Sequence, residues 1–302
     1  MNLHKDGKVF EQAVEAAAQY CGMPAGIIEK DYYVTLLLKR ISQVEPQLVF
    51  KGGTSLSKCY KLIKRFSEDL DLTLTETSQA MRVRLAHKMT DICVQEGLVI
   101  MNPGSILSKN RFNRYVIDYK PGYAISSLNP NVIVETAFMQ RAFPVEERSA
   151  ASLIYEFMAH GGFTDMIERY GLQPFMVHTQ TLARTLIDKV FAICDYYLSG
   201  RTERCSRHLY DIKKLVQTVP LSDDMRTLAL KVRSERAKNA INSSAADGVD
   251  VPGLLERIIT ERVFESDYEN VTKYLLYEDM DYDTAISGLQ GVLQKGIFGG
   301  SV

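Results

Sequence analysis

The chain has 302 residues, of which 46% are hydrophobic and 24% charged, and a formal net charge of −1. That length exceeds the usual size of one domain, and the composition is that of an ordinary globular protein. A charge this close to zero excludes nucleic-acid binding by bulk electrostatics and leaves it to local patches. The five cysteines (Cys21, Cys59, Cys93, Cys194, Cys205) form no Cys-x-x-Cys pair, so they read as small buried hydrophobes in a reducing cytoplasm. His4, Lys5, Asp6 and Lys8 interrupt the first ten residues, so no signal peptide is expected. The chain lacks the run of about eighteen apolar residues that a membrane span needs.

In chain order, Lys8 to Cys21 has helical spacing (Phe10, Ala13, Val14, Ala17, Tyr20), with Gly22 as its stop. Pro24 suits the first turn of a second helix through Ile27, Tyr32, Leu36, Leu37 and Ile41. Leu48 to Lys51 reads as a strand into a glycine turn, Ser55 to Arg65 as a helix, and Asp69 to Thr73 as a strand. Gln79 to Glu96 reads as a helix ending at Gly97, and Arg114 to Tyr119 and Val132 to Phe138 as strands around a turn-rich stretch. From Ser149 onward the period is helical: 151–160, 179–198, 207–216, 223–238, 251–264 and 266–293. The expected organisation is an α/β domain over residues 1–148 and a helical domain over 149–302.

The stretch from Phe50 to Leu74 carries the most chemistry. Gly52-Gly53-Thr54-Ser55 can turn backbone N–H groups toward phosphate oxygens where a helix begins. Asp69 and Asp71, preceded by Ser67 and Glu68, are two apart on a strand and so share one face, with Leu70 and Leu72 on the other. Carboxylates paired on one face suit a hard divalent cation such as Mg²⁺. Acidic residues in an apolar strand cost desolvation energy unless paired or metal-bound, although a strand with one wet face would also carry them. A third carboxylate is expected from a neighbouring strand. Glu135, in Val132-Ile133-Val134-Glu135, is the candidate, and Asp118 is the alternative because register is not legible in sequence.

The helical half offers a second set. Thr185 and Lys189 share a helix face, flanked by Arg184 and Asp188, and a lysine there can meet a triphosphate as a point charge. Arg207 and Asp211 are likewise four apart, around His208. Ordinary surface ion pairs would account for both sets equally well. Two basic stretches are candidate RNA lips: Lys109, Arg111, Arg114 and Lys120 with Phe112 and Tyr115 for stacking, and Lys231, Arg233, Arg236 and Lys238. Solvated faces would look the same.

Taken together, Lys51-Gly52-Gly53-Thr54-Ser55 with Ser67-Glu68-Asp69-Leu70-Asp71 resembles motif I of the AbiEii/AbiGii nucleotidyltransferase toxins, in the polymerase-β-like superfamily. Ile28-Glu29-Lys30-Asp31-Tyr32 is similar to that family's segment before motif I, and Glu135 falls where its second acidic motif lies. Thr185 to Ala192 resembles the third motif, with Asp188 where Glu is usual, and Arg207-His208-Leu209-Tyr210-Asp211 resembles the fourth. The likeness spans residues 4 to 215; nothing after 220 carries a motif.

The resemblance implies an α+β fold: a polymerase-β-like nucleotidyltransferase domain with a small mixed sheet flanked by helices, then a helical domain. It implies a cytoplasmic toxin of abortive-infection type that uses Mg²⁺, or Mn²⁺, and a nucleoside triphosphate. Related toxins add nucleotides to the 3′ end of tRNA, and a cognate antitoxin, often a winged-helix protein encoded nearby, neutralises them. By the resemblance Asp69, Asp71 and Glu135 would hold the metal. Gly52, Gly53, Thr54, Ser55 and Ser67 would hold the triphosphate with Lys189 and Arg207, and Asp211 and Lys189 would complete the catalytic set. A protein hydroxyl or a small molecule as acceptor, or a regulator without catalysis, are the alternatives; the intact aspartate pair speaks against the last.

Overall fold

The computed structural model describes residues 2–75, 79–108, 112–123 and 129–299. The chain forms two compact units, residues 1–60 with 68–179, and residues 61–67 with 180–302. The division thus falls at Thr179/Gln180 rather than at 148/149, and the second unit takes an excursion from the first half.

The first unit is built on α1 (Gly7–Cys21), α2 (Ala25–Val44), α3 (Gly52–Lys58), α4 (Gln79–Glu96), α5 (Leu153–His160) and α6 (Thr164–Tyr170). Phe10, Ala13, Val14 and Ala17 make one buried stripe on α1, and Gly22 ends it in the left-handed conformation at φ 64°. The strands are β1 (Leu48–Lys51), β2 (Leu70–Leu74), β3 (Val99–Ile100), β4 (Leu107–Ser108), β5 (Phe112–Asp118), β6 (Val132–Arg141), β7 (Val145–Ala150) and β8 (Phe175–Gln180). They form one mixed sheet of eight strands in the order β3-β5-β6-β2-β1-β8-β7, with β4 also on β5. Strand β2 pairs antiparallel to β1 and parallel to β6, and β5 pairs antiparallel to β6. The mixed sheet flanked by helices is the one expected, and β3, β4, β7 and β8 extend it in stretches to which the sequence reading assigns no strand. Glu146, Glu147, Arg148 and Ser149 leave β7 without the apolar alternation of a half-buried strand. Leu70, Leu72, Leu74, Val134, Tyr115 and Ile117 fill the core on the covered face.

The second unit contains α7 (Leu182–Leu198), α8 (Arg207–Val216), α9 (Asp223–Ala237), α10 (Val251–Glu261), α11 (Glu265–Asn270) and α12 (Tyr282–Gln294). Thr181, Asp250 and Asp281 cap α7, α10 and α12 by accepting backbone N–H groups. Two expected helices are broken. The helix expected over Ser55 to Arg65 stops at Lys58, and the one over Ser266 to Leu293 is interrupted between Asn270 and Tyr282. Both interruptions have one cause: the two stretches pair with each other. Arg65 bridges Leu276, Phe66 N donates to Leu275 O at 3.1 Å, and Tyr277 N donates to Lys64 O at 2.8 Å. Backbone groups that find partners across the unit do not need the helix. Among the described residues no helix is long and apolar enough to cross a membrane.

Helices α8 and α12 meet at a glycine. A Cβ on Gly288 would stand 2.7 Å from Lys213 Cα and 2.8 Å from its nitrogen, both backbone atoms that cannot step aside. Gly288→Ala is therefore expected to destabilise the protein by about 1–3 kcal/mol despite the better helix propensity of alanine. Thermal unfolding with near-native spectra below the transition checks this; an unchanged or raised Tm would contradict the packing.

Candidate functional site

In the first unit, β1 runs through Lys51 into α3. Gly52 takes φ 80°, where a side chain is strained, and a Cβ there would stand 2.3 Å from Asp71 Oδ2. Glycine is needed twice over: for the turn, and to let the Asp71 carboxylate lie against the backbone. Thr54 and Ser55 are buried, and Ser55 Oγ donates to Gly52 O at 2.9 Å. The Ser55 hydroxyl is thus spent on closing its own turn, and the N–H groups that can meet a phosphate in this first turn are those before Ser55.

The sheet register sets Glu135 opposite Asp71 and Asp118 opposite Val99. Lys51 pairs with Asp71, Asp71 with Glu135, and Glu135 with Arg114. Directly paired residues share a face, so Lys51, Asp71, Glu135 and Arg114 form one transverse row over β1, β2, β6 and β5. All four are partly or well exposed, whereas Phe50, Leu70, Leu72, Val134 and Tyr115 are buried. Arg114 Nε donates to Glu135 Oε1 at 2.9 Å, an exposed pair. Asp69 lies one residue before β2. Asp118 stands apart from the row: it ends β5 opposite Val99, and its carboxylate accepts from Lys120 N at 2.8 Å. Among the described residues no three His, Cys, Asp or Glu side chains make a preformed metal cage.

The second unit contains Ser67, Lys189, Arg207 and Asp211. Arg207 opens α8 on its exposed side, and Ser67 closes the 61–67 excursion. Asp211 is fully buried and is not the ordinary surface charge its spacing allows. Arg65 grips it with Nε and Nη2 both at 2.7 Å, and Lys189 Nζ lies 2.6 Å away. Burial would raise the Asp211 carboxyl, but Arg65 and Lys189 overcome it and hold it well below the usual carboxylate range. Two basic side chains face one carboxylate, and burial lowers the Lys189 ammonium's pKa, with Arg65 adding to this and Asp211 opposing it. Beside it His208 is held neutral, its pKa pulled well down by burial and then by Lys189. Its Nδ1 is buried without a hydrogen-bond partner. Sequence reading does not single out Arg65. Arg65 opens the segment Arg65 to Leu72 that resembles motif I, but no role attaches to it until its carboxylate is known.

Asp188 links helices within the same unit. It accepts from Arg184 Nε at 2.9 Å, from Gln180 Nε2 at 3.1 Å and from Arg236 Nη1 at 3.2 Å. Arg236 also meets Asp195 at 2.8 Å and is buried, and Arg233 donates to the carbonyls of Ala245, Ala246 and Val249. The second basic lip is therefore largely internal bracing rather than a free surface. Of the first lip, Lys109 and Arg111 lie outside the described residues, and Arg114 belongs to the carboxylate row. Tyr115 is a core residue whose hydroxyl accepts from Asn113 Nδ2 at 2.9 Å, not a stacking platform.

Asp211→Asn would leave Arg65 and Lys189 together without their anion, at a cost of about 3–5 kcal/mol. Because the folded carboxyl is depressed, its contribution is complete above the unfolded value of about 4 and is lost as pH falls below that toward the depressed value. Chemical denaturation at neutral pH and below pH 4 should show the variant far less stable at neutral pH and less sensitive to acid. Equal stability at neutral pH would contradict a buried triad.

No curated protein matches the sequence significantly. Among solved structures the fold is similar to a crystal structure from H. pylori described as a "putative nucleotidyltransferase", with a TM-score of 0.46 and 16% identity over 88% of this chain and 92% of that one. A likeness that distant carries no weight in the assignment. The family model described as "Nucleotidyl transferase AbiEii toxin, Type IV TA system" matches residues 36–288, which takes in the glycine turn, the carboxylate row and the Asp211 triad. The chain belongs to that family: it is an AbiEii nucleotidyltransferase, a toxin of a type IV toxin–antitoxin system.

Proposed function

We propose that the protein is a cytoplasmic, Mg²⁺-dependent enzyme that moves a nucleoside monophosphate from a nucleoside triphosphate to an RNA 3′-hydroxyl, with tRNA as the acceptor, and so stops translation. The observation that carries this reading is the in-register pair Asp71 and Glu135 beside the Gly52 turn. Carboxylate oxygens on the open face of a sheet are hard donors. Mg²⁺ characteristically takes one or two of them and completes its shell with phosphates and water. Asp69, Asp71 and Glu135 would hold it, with Mn²⁺ as a substitute. When bound, the ion supplies neutralisation of the triphosphate and of the charge that develops on the reacting oxygens.

The chain's own groups then divide the work. The backbone of the Gly52, Gly53, Thr54 and Ser55 turn holds the triphosphate, and Ser67, Lys189 and Arg207 are the second unit's own candidate contacts for an anionic ligand. Asp211 acts through Lys189, whose ammonium it fixes at 2.6 Å. An acceptor oxygen attacks the α-phosphorus, a new P–O bond forms, and the bond to the β-phosphate oxygen breaks, releasing pyrophosphate. The hydroxyl proton passes to a carboxylate of the Asp69, Asp71 and Glu135 group. Membership of a toxin–antitoxin family implies an antitoxin partner, and we assign this role to a winged-helix protein encoded nearby.

Purified protein incubated with Mg²⁺, total bacterial RNA and each α-labelled nucleotide should give a labelled band of tRNA size. Asp71→Asn should lower labelling by more than about 10²-fold while leaving the fold intact. Gly52→Ala, which drives a methyl group into the Asp71 carboxylate, should lower labelling far more than it lowers Tm. Label in protein or in small molecules instead of RNA would replace the acceptor. Full activity of Asp71→Asn would overturn the site.

A further inference from the structure

Helix α2 carries three charged residues in succession, Glu29, Lys30 and Asp31, inside a run that is buried on nearly every side. A helix apolar all round is an internal helix, and charges on it must find partners inside the protein. Each of the three reaches a different segment of the first unit. The Glu29 carboxylate accepts from Gly122 N at 2.9 Å and from Tyr123 N at 3.1 Å. Asp31 accepts from Lys58 Nζ at 2.6 Å, at the end of α3, and from Leu153 N at 2.8 Å. Lys30, only 1% exposed, pairs with Glu68 and also donates to the carbonyl of Asn129 at 2.5 Å.

The partners of Lys30 stand at informative places. Glu68 is two residues before β2 and three before Asp71; Asn129 is three residues before β6. Because β2 and β6 are parallel neighbours, both partners lie at the same end of the two strands. One buried ammonium therefore joins the entry segments of the strands that carry Asp71 and Glu135. A slip of one residue in either strand would turn its carboxylate to the covered face. An ammonium suits this position because its three donors can serve a carboxylate and a carbonyl that approach from different directions.

We infer that Lys30 is a positioning residue for the metal-binding carboxylates: through Glu68 and Asn129 it clamps the entries of β2 and β6 and fixes Asp71 and Glu135 side by side. The inference rests on the proposed metal-dependent reading of that row. Removing the clamp is expected to loosen the strand ends first and the carboxylate geometry with them, while the rest of the unit keeps its core. The same logic makes Glu68 the partner through which Lys30 acts, so the two residues behave as one unit.

The test uses the full chain and Mn²⁺ as the probe. Mn²⁺ affinity is measured by electron paramagnetic resonance, and hydrogen exchange by mass spectrometry, at a temperature where every variant is folded. The proteins are the native chain, Lys30→Met, Glu68→Gln, the double variant, Asp71→Asn, and Gly288→Ala as a control destabilised in the other unit. Lys30→Met and Glu68→Gln should each weaken Mn²⁺ binding about 10-fold and speed exchange in 68–72 and 132–136. The double variant should be no worse than Lys30→Met, and Gly288→Ala should change neither readout. Unchanged exchange at the strand entries overturns the clamp. Faster exchange with native Mn²⁺ affinity overturns its role in the site, as does an equal loss of affinity in Gly288→Ala. Native protein that binds no Mn²⁺, with Asp71→Asn no different from it, overturns the underlying metal reading and the inference together, and is recognised by that equality.

Discussion

Asp71 and Glu135 are two like charges placed side by side on adjacent parallel strands, an arrangement a sheet tolerates only when something offsets the repulsion. The row answers this at both ends, with Lys51 beside Asp71 and Arg114 on Glu135. The outer pair is exposed and contributes at most about 1 kcal/mol, so Glu135 can exchange it for a stronger cation at little cost. Much of the first unit is organised around keeping these carboxylates where they repel: a glycine that gives Asp71 room, leucines that anchor the other face of β2, and a buried lysine near the start of both strands.

The second unit solves a different electrostatic problem. Asp211 is taken wholly out of water and held by Arg65 and Lys189. Such a cluster is weak evidence for net stability, since charges in the core cost desolvation. What it does give is a fixed direction for Lys189. It also gives the excursion of residues 61–67 a purpose: Arg65 arrives on that segment, and the backbone of 64–66 is held by pairing with 275–277. Residues beyond 220, which carry no motif, thereby support the segment that leads directly into Glu68 and Asp69.

Local chemistry explains what is legible in the sequence. Helix α8 has the expected bounds, Arg207 to Val216, and α4 has Gln79 to Glu96, because apolar spacing and stops agree there. Strand β2 is legible from its period of two, with Leu70 and Leu72 against Asp71. What stays hidden depends on contacts far apart in sequence. The choice of Glu135 over Asp118 is a matter of register. The division at Thr179, the short α3 and the interrupted final helix all follow from long-range backbone pairing. Arg236 reads as a surface cation and is an internal brace. The triplet Glu29, Lys30 and Asp31 stands out in sequence only as part of a family likeness, although charges within an all-round apolar helix already signal buried partners.

Crystals grown with Mn²⁺ and a triphosphate whose α–β bridge cannot be cleaved would put the carboxylate row to its sharpest test. We expect an anomalous Mn²⁺ peak within coordinating distance of Asp71 and Glu135, with the triphosphate along the Gly52–Ser55 backbone. A peak held by other residues, or a triphosphate bound away from that turn, would show that the row is not the metal site.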